Sequence, residues 1–210
     1  MIDVKQQINA VRRTIGSRTL EAGEARVSTI SQVYDTDRAD LWTVVTDPDR
    51  IARWFLPVTG DLKEGGHYQL TGNAGGAITR CDEPHGYDAT WEYGGMVSWI
   101  EVRLTEEEGG TRFELVHIGH VADELWDEYG PGATGIGWDQ GLLGLAGYLS
   151  DPAAAITPEN ALTWMLSDEG KELTRLSSDA WAAAAIAAGD DPYDARRRAD
   201  TCYGAYTAES

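Results

Sequence analysis

Ser98-Trp99-Ile100-Glu101-Val102-Arg103-Leu104-Thr105, then Glu106-Glu107-Glu108-Gly109-Gly110, then Thr111-Arg112-Phe113-Glu114-Leu115-Val116-His117 is the stretch that decides the fold. Polar and apolar residues alternate on either side of an acidic loop that ends in two glycines. A period of two sends successive side chains to opposite faces of a strand. The stretch therefore reads as an antiparallel hairpin of strands 96–105 and 111–121. Ser98, Ile100, Val102 and Leu104 share one face, with Glu101 and Arg103 on the other. Phe113, Leu115 and His117 lie opposite Arg112 and Glu114. One face is mainly apolar and must be covered.

Working outward, the same pattern repeats. Gly65-Gly66 precedes a strand at 67–71, and Gly72-Asn73-Ala74-Gly75-Gly76 turns into 77–81. A further strand spans 87–93, with Trp91 and Tyr93 opposite Thr90 and Glu92. An earlier one covers 26–34. Successive strands with glycine-rich turns predict an antiparallel meander, not βαβ units. Between the first strand and the rest, Arg38 to Thr46 reads as a helix with Leu41, Trp42 and Val45 on one side. Asp47-Pro48 then restarts a second short helix, as an N-cap followed by proline at the first helical position. It ends in Trp54-Phe55. The expected cover for the apolar face is a long helix over 132–149, read through Ile136, Asp139, Leu142, Leu143, Ala146 and Leu149.

The flanks are helical in pattern. Val4, Ile8, Val11 and Ile15 recur at four- and three-residue spacing and predict an amphipathic arm over 1–24, expected to dock on its own domain. Residues 151–210 predict three helices. Thr157-Pro158-Glu159 opens the first, the second carries Leu173, Leu176, Ala180 and Ala184, and Asp191-Pro192 opens the third after Gly189. The expected organisation is an arm at 1–24, an α+β domain at 25–150 and a helical extension at 151–210 that caps the domain or makes a homodimer.

Composition bounds the function. With 17 Lys plus Arg against 35 Asp plus Glu, the 210-residue chain carries a net charge of −18. Nucleic-acid binding needs a basic surface, and so does adsorption to anionic membranes, so neither partner is expected. No apolar run reaches the ~20 residues of a transmembrane helix. No signal peptide is evident, and Cys81 and Cys202 make no disulfide framework. A cytoplasmic protein is expected.

The chemical motifs are weighed against simpler readings. Gly130-Pro131-Gly132-Ala133-Thr134-Gly135 matches G-x-G-x-x-G but lacks the strand–turn–helix context of a dinucleotide site, so it reads as a helix-entry turn and no cofactor is expected. Gly137, Gly141 and Gly144 form a stripe on the long helix, where each interior glycine costs about 1 kcal/mol relative to alanine. Either something packs tightly there or the stripe borders a ligand cavity. His117 and His120 form H-x-x-H, but residues three apart on a strand point to opposite faces, and no further ligands complete a metal site. His117 on the apolar face is either a satisfied core histidine or a polar handle beside Ser98. No nucleophile elbow, Walker loop or paired-carboxylate arrangement is present.

Leu41-Trp42-Thr43-Val44-Val45-Thr46-Asp47-Pro48 followed by Ile51-Ala52-Arg53-Trp54-Phe55 resembles the signature of the heat-shock-protein-90 ATPase-activator-homologue-like group of the SRPBCC (START/Bet v 1-like) superfamily. Gly65-Gly66, Trp91-Glu92-Tyr93, Gly110 to His117 and Gly137-Trp138-Asp139 also fit it. The resemblance covers about 25–150, and the terminal arms look like those of long bacterial members. It implies the helix-grip fold, a curved antiparallel sheet wrapped around a long C-terminal helix, with a deep cavity between them. Members of the superfamily bind hydrophobic small molecules, and some catalyse cyclisation. The group takes its name from a eukaryotic co-chaperone with a separate chaperone-binding N-terminal domain, where this chain has a short helical arm. The expected function is a non-enzymatic binding module for a hydrophobic or aromatic ligand. Trp54, Trp91, Tyr93, Ile100, Val102, Leu115, Trp138 and Leu142 would give apolar contact, and Ser98 and His117 would orient the ligand. The rivals are a cyclase- or hydratase-like enzyme with His117 as general acid or base, and a protein-interaction role in contact with a chaperone.

Overall fold

The computed structural model describes residues 3–153 and 158–208. In chain order the elements are α1 (Val4–Ala10), β1 (Arg12–Leu20), β2 (Gly23–Tyr34), α2 (Arg38–Thr46), α3 (Pro48–Ile51), β3 (Val58–Gly60), β4 (His67–Leu70), β5 (Gly75–Asp82), β6 (Gly86–Tyr93), β7 (Met96–Glu107), β8 (Gly110–Gly119), α4 (Asp123–Tyr129), α5 (Gly132–Ser150), α6 (Pro158–Met165), α7 (Asp168–Ala187) and α8 (Pro192–Thr207). The eight strands form one antiparallel sheet in the order β1-β2-β8-β7-β6-β5-β4-β3. β7 and β8 pair through the loop at Glu107 and Gly110, with Val102 opposite Leu115 and Leu104 opposite Phe113. Their inward residues Ile100, Val102, Leu104, Phe113 and Leu115 are all buried, as the alternation requires.

The helix starts follow their caps. The Asp37 carboxylate accepts from the Asp40 amide to open α2, and the Asp47 carboxylate accepts from the Asp49 and Arg50 amides to open α3. Asp191 does the same for α8, accepting from Tyr193 and Asp194, with Pro192 in the first turn. The proposed cap at Thr157 lies outside the described residues.

One expectation fails. The amphipathic helix predicted over 1–24 ends at Ala10, and Arg12–Leu20 is a strand. Val4 and Ile8 do occupy the buried face of α1, against Leu143 and Leu173. Val11 and Ile15 belong instead to an extended chain paired with β2 from Arg12 opposite Ser31 to Leu20 opposite Gly23. Four-residue spacing is a multiple of two as well as close to one helical turn, so Val11 and Ile15 fit either element. The backbone pairing offered by β2 decides between them. Two short elements were also not anticipated: β3, an edge strand of three residues, and α4, which carries buried Trp126 beneath the guanidinium of Arg26 at 4.4 Å.

α5 runs across the inner face of the sheet, and α7 packs on its other side together with α1 and β1. The helical extension thus covers the long helix that the rest of the chain leaves half exposed.

Candidate functional site

A cavity of about 400 Å³ opens between the inner face of the sheet, the α2–α3 corner and α5. The sheet contributes Ile30, Tyr68, Tyr87, Ala89, Trp91, Ile100, Phe113 and Leu115. The α2–α3 corner contributes Trp42, Val45, Ile51, Trp54 and Phe55, and α5 contributes Trp138, Gly141 and Leu142. Exposed Lys63, Cys81 and Glu83 mark its mouth.

Two glycines of the α5 stripe shape this space in different ways. A Cβ on Gly144 would meet the Trp54 carbonyl oxygen at 2.3 Å, so glycine there lets the Trp54-Phe55 corner seat directly on the helix. A Cβ on Gly141 would meet only the Phe55 ring at 3.5 Å, an ordinary contact, and the missing side chain leaves volume to the cavity. Gly137 faces the Tyr206 hydroxyl of α8 at 3.7 Å and takes no part. Tight packing and cavity lining are both present, at neighbouring glycines of the stripe three residues apart.

Six of the ten residues expected to touch a ligand line the cavity: Trp54, Trp91, Ile100, Leu115, Trp138 and Leu142. Tyr93 does not. It pairs with Met96 at the last register position before the Gly94-Gly95 turn and is 56% exposed. Val102 is fully buried in the core where α2 packs against β7, so no space is left over it.

Ser98 and His117 lie behind the cavity wall. The Trp138 indole N–H donates to His117 Nδ1 at 3.1 Å, and His117 Nε2 lies 2.8 Å from Ser98 Oγ. An indole can only donate, so Nδ1 accepts and the ring proton resides on Nε2, donating to Ser98. The Ser98 hydroxyl in turn donates to the Trp91 carbonyl at 3.0 Å. Burial of this saturated chain pushes the His117 pKa down to about 4. A neutral ring with both nitrogens engaged has no lone pair for a general base and no extra proton for a general acid. Its work is to fix Trp138 and Trp91, whose rings meet at 4.8 Å, as one wall. His120 points away from His117, against Trp99 and the Glu24 carbonyl.

The two tyrosines on the sheet side were not singled out from sequence. The Tyr68 hydroxyl donates to the Thr90 carbonyl at 2.7 Å. Tyr87 packs its ring edge-on against Trp42, with centroids 6.4 Å apart. Its hydroxyl has no hydrogen-bond partner among the described residues, and burial pushes its pKa up to about 12. Strand parity carried the signal for Tyr87, since it shares a face with Ala89 and Trp91.

On the other side of α5 the chemistry is reversed. Asp139 is 1% exposed and receives both Nε and a terminal nitrogen of Arg13. It also accepts from the Ser177 hydroxyl at 2.6 Å and the Trp181 indole at 2.9 Å. The remaining Arg13 nitrogen donates to the Ile8 and Val11 carbonyls at 3.2 and 3.1 Å. The glycines of the G-x-G-x-x-G stretch serve this same interface: a Cβ on Gly135 would strike the Trp181 ring at 2.3 Å, and one on Gly132 would meet Cys202 Sγ at 3.0 Å. They admit α7 and α8, in keeping with a helix-entry turn.

Similarities to known proteins agree with this architecture. The crystal structure of CalU16 from Micromonospora echinospora is 36% identical with a TM-score of 0.65, covering 84% of this chain and 99% of that one. Its solution structure gives 35% identity and a TM-score of 0.68, over 86% and 97% of the two chains. Protein MLL2253 from Mesorhizobium loti shares the fold at 18% identity and a TM-score of 0.53, over 60% and 97%. No curated protein matches the chain. Residues 35–150 match the family described as Activator of Hsp90 ATPase homolog 1-like protein, a span that begins just after β2 and ends with α5. The chain belongs to that family, within the SRPBCC superfamily, and carries its helix-grip fold.

Proposed function

We propose that this protein binds an apolar small molecule between the sheet and α5 and holds it without transforming it. The observation that carries the reading is the cavity of about 400 Å³, within the range of small-molecule sites and lined almost wholly by aromatic and aliphatic side chains. The cavity survives in the packing because Gly141 contributes no side chain and because the Trp91–Trp138 wall is held from behind by His117 and Ser98. A binding role without catalysis suits a histidine whose two nitrogens are both used. A cytoplasmic setting fits two cysteines that remain free thiols.

The test uses a neutral solvatochromic dye, Nile red, and the Ala89→Phe variant, which fills the cavity from the β6 side. Saturable binding of one dye per chain, lost in Ala89→Phe with an unchanged circular dichroism spectrum, supports the proposal. Equal binding by both proteins, or none by the native chain, ends it. Native mass spectrometry of protein purified gently from its own source would then identify what the cavity carries.

A further inference from the structure

Among the hydroxyl groups that line the cavity, one stands apart from the rest. Thr46 spends its hydroxyl on the Trp42 carbonyl at 2.6 Å, and Tyr68 spends its own on Thr90. Lys63 and Glu83 stand at the exposed mouth, with the Lys63 ammonium 2.9 Å from Asp61. Among the hydroxyls that line the cavity, only that of Tyr87 is without a partner among the described residues; the indole N–H groups of Trp42 and Trp91, which also line it, have none either. Tyr87 is half-buried and its oxygen is not sealed from the cavity, so a ligand acceptor there can take the place of water.

Resting on the binding role above, we infer that Tyr87 is a specificity-determining residue that donates a hydrogen bond to a neutral, aromatic ligand bearing a carbonyl-type acceptor. Each part of that class follows from the surroundings. Aromatic shape is favoured by Trp42, Trp54, Trp91 and Trp138, which offer ring faces and edges around one volume. Neutrality follows because, among the described residues, the only charged groups lining the cavity are Lys63 and Glu83 at its exposed mouth, and none lies inside to meet a carboxylate or an amine. An acceptor matches the phenol because, with its acidity suppressed by burial, it stays protonated at neutral pH and offers an O–H that no described residue takes up. Tyr68, whose proton is committed to Thr90, cannot substitute for it as a donor.

A matched pair of probes isolates this contact. Fluorene and 9-fluorenone have the same ring frame and differ by one carbonyl oxygen. The native chain is expected to bind fluorenone about tenfold more tightly than fluorene, the order of one hydrogen bond. Tyr87→Phe is expected to bring the ratio of the two affinities to about one. Fluorene bound as well as fluorenone by the native chain, or a preference that survives Tyr87→Phe, overturns this inference and leaves the binding role standing. Failure of both probes and of Nile red to bind overturns both.

Discussion

The two faces of α5 bury polar groups in opposite ways. Toward α7, Asp139 meets Arg13, Ser177 and Trp181, and the arrangement is closed. Toward the sheet, the helix borders an apolar cavity lined by a phenol that has no hydrogen-bond partner among the described residues. A closed network has nothing left to offer a ligand, so it holds elements together: Arg13 brings β1, Asp139 brings α5, and Ser177 and Trp181 bring α7. An open site keeps both volume and a donor in reserve. The lesson is that charge and burial do not mark function here. Among the described residues, the most buried charged pair is structural, and the functional candidate is a neutral hydroxyl with no protein partner.

The comparison can be broken first at the closed face. Arg13→Ala leaves the Asp139 carboxylate buried without its countercharge, and destabilisation of about 3–5 kcal/mol is expected in chemical denaturation. A loss below about 1 kcal/mol would mean that Ser177 and Trp181 suffice, and the network would not be the clamp described.

The Trp138–His117–Ser98 chain is sharpened by pH. The folded-state pKa of about 4 lies below the ordinary value of 6.5. Between those values the unfolded chain binds a proton that the folded chain refuses, so stability rises with pH there. Acidification from about pH 6.5 to 4 should therefore remove about 3 kcal/mol through this group, with no further loss below pH 4. His117→Gln keeps a donor and an acceptor but does not titrate, and the difference in stability between variant and native chain, followed across that window, should show this slope. An invariant difference would show that the imidazole is not held neutral by its surroundings.

Smaller effects separate the glycines. Gly135→Ala and Gly144→Ala force Cβ atoms to 2.3 Å from the Trp181 ring and the Trp54 carbonyl, and each should cost about 1–3 kcal/mol in thermal unfolding. Gly141→Ala meets only ordinary contact and gains helix propensity, so it should stabilise by up to about 1 kcal/mol. Loss of stability at Gly141 comparable to that at Gly144 would show that the two positions are packed alike, against the division drawn here.

Much of the architecture could be read along the chain. Alternation in β6, β7 and β8 gave their inward faces, and Asp-Pro pairs at 47–48 and 191–192 marked helix starts. Tyr93 shows the limit of parity: a residue on the correct face of a strand still lies outside the site where the strand runs on into an exposed turn. Val102 shows the complementary limit, because an inward residue can be packed solid. His117 had two readings from sequence, and only the positions of Trp138 and Ser98 separate them.

By itself, the sequence determined which residues form strands and helices over most of the chain and which side of each strand faces inward, because those choices rest on local periodicity and capping. It also set the family through the Asp47-Pro48 to Trp54-Phe55 stretch. The tertiary structure decided that residues 12–20 join the sheet, since pairing with β2 outweighs a pattern two elements could satisfy. It decided too which buried polar atoms are saturated and which remain free. That depends on partners from distant segments, such as Arg13 with Asp139 and Trp138 with His117, whose meeting no local pattern encodes.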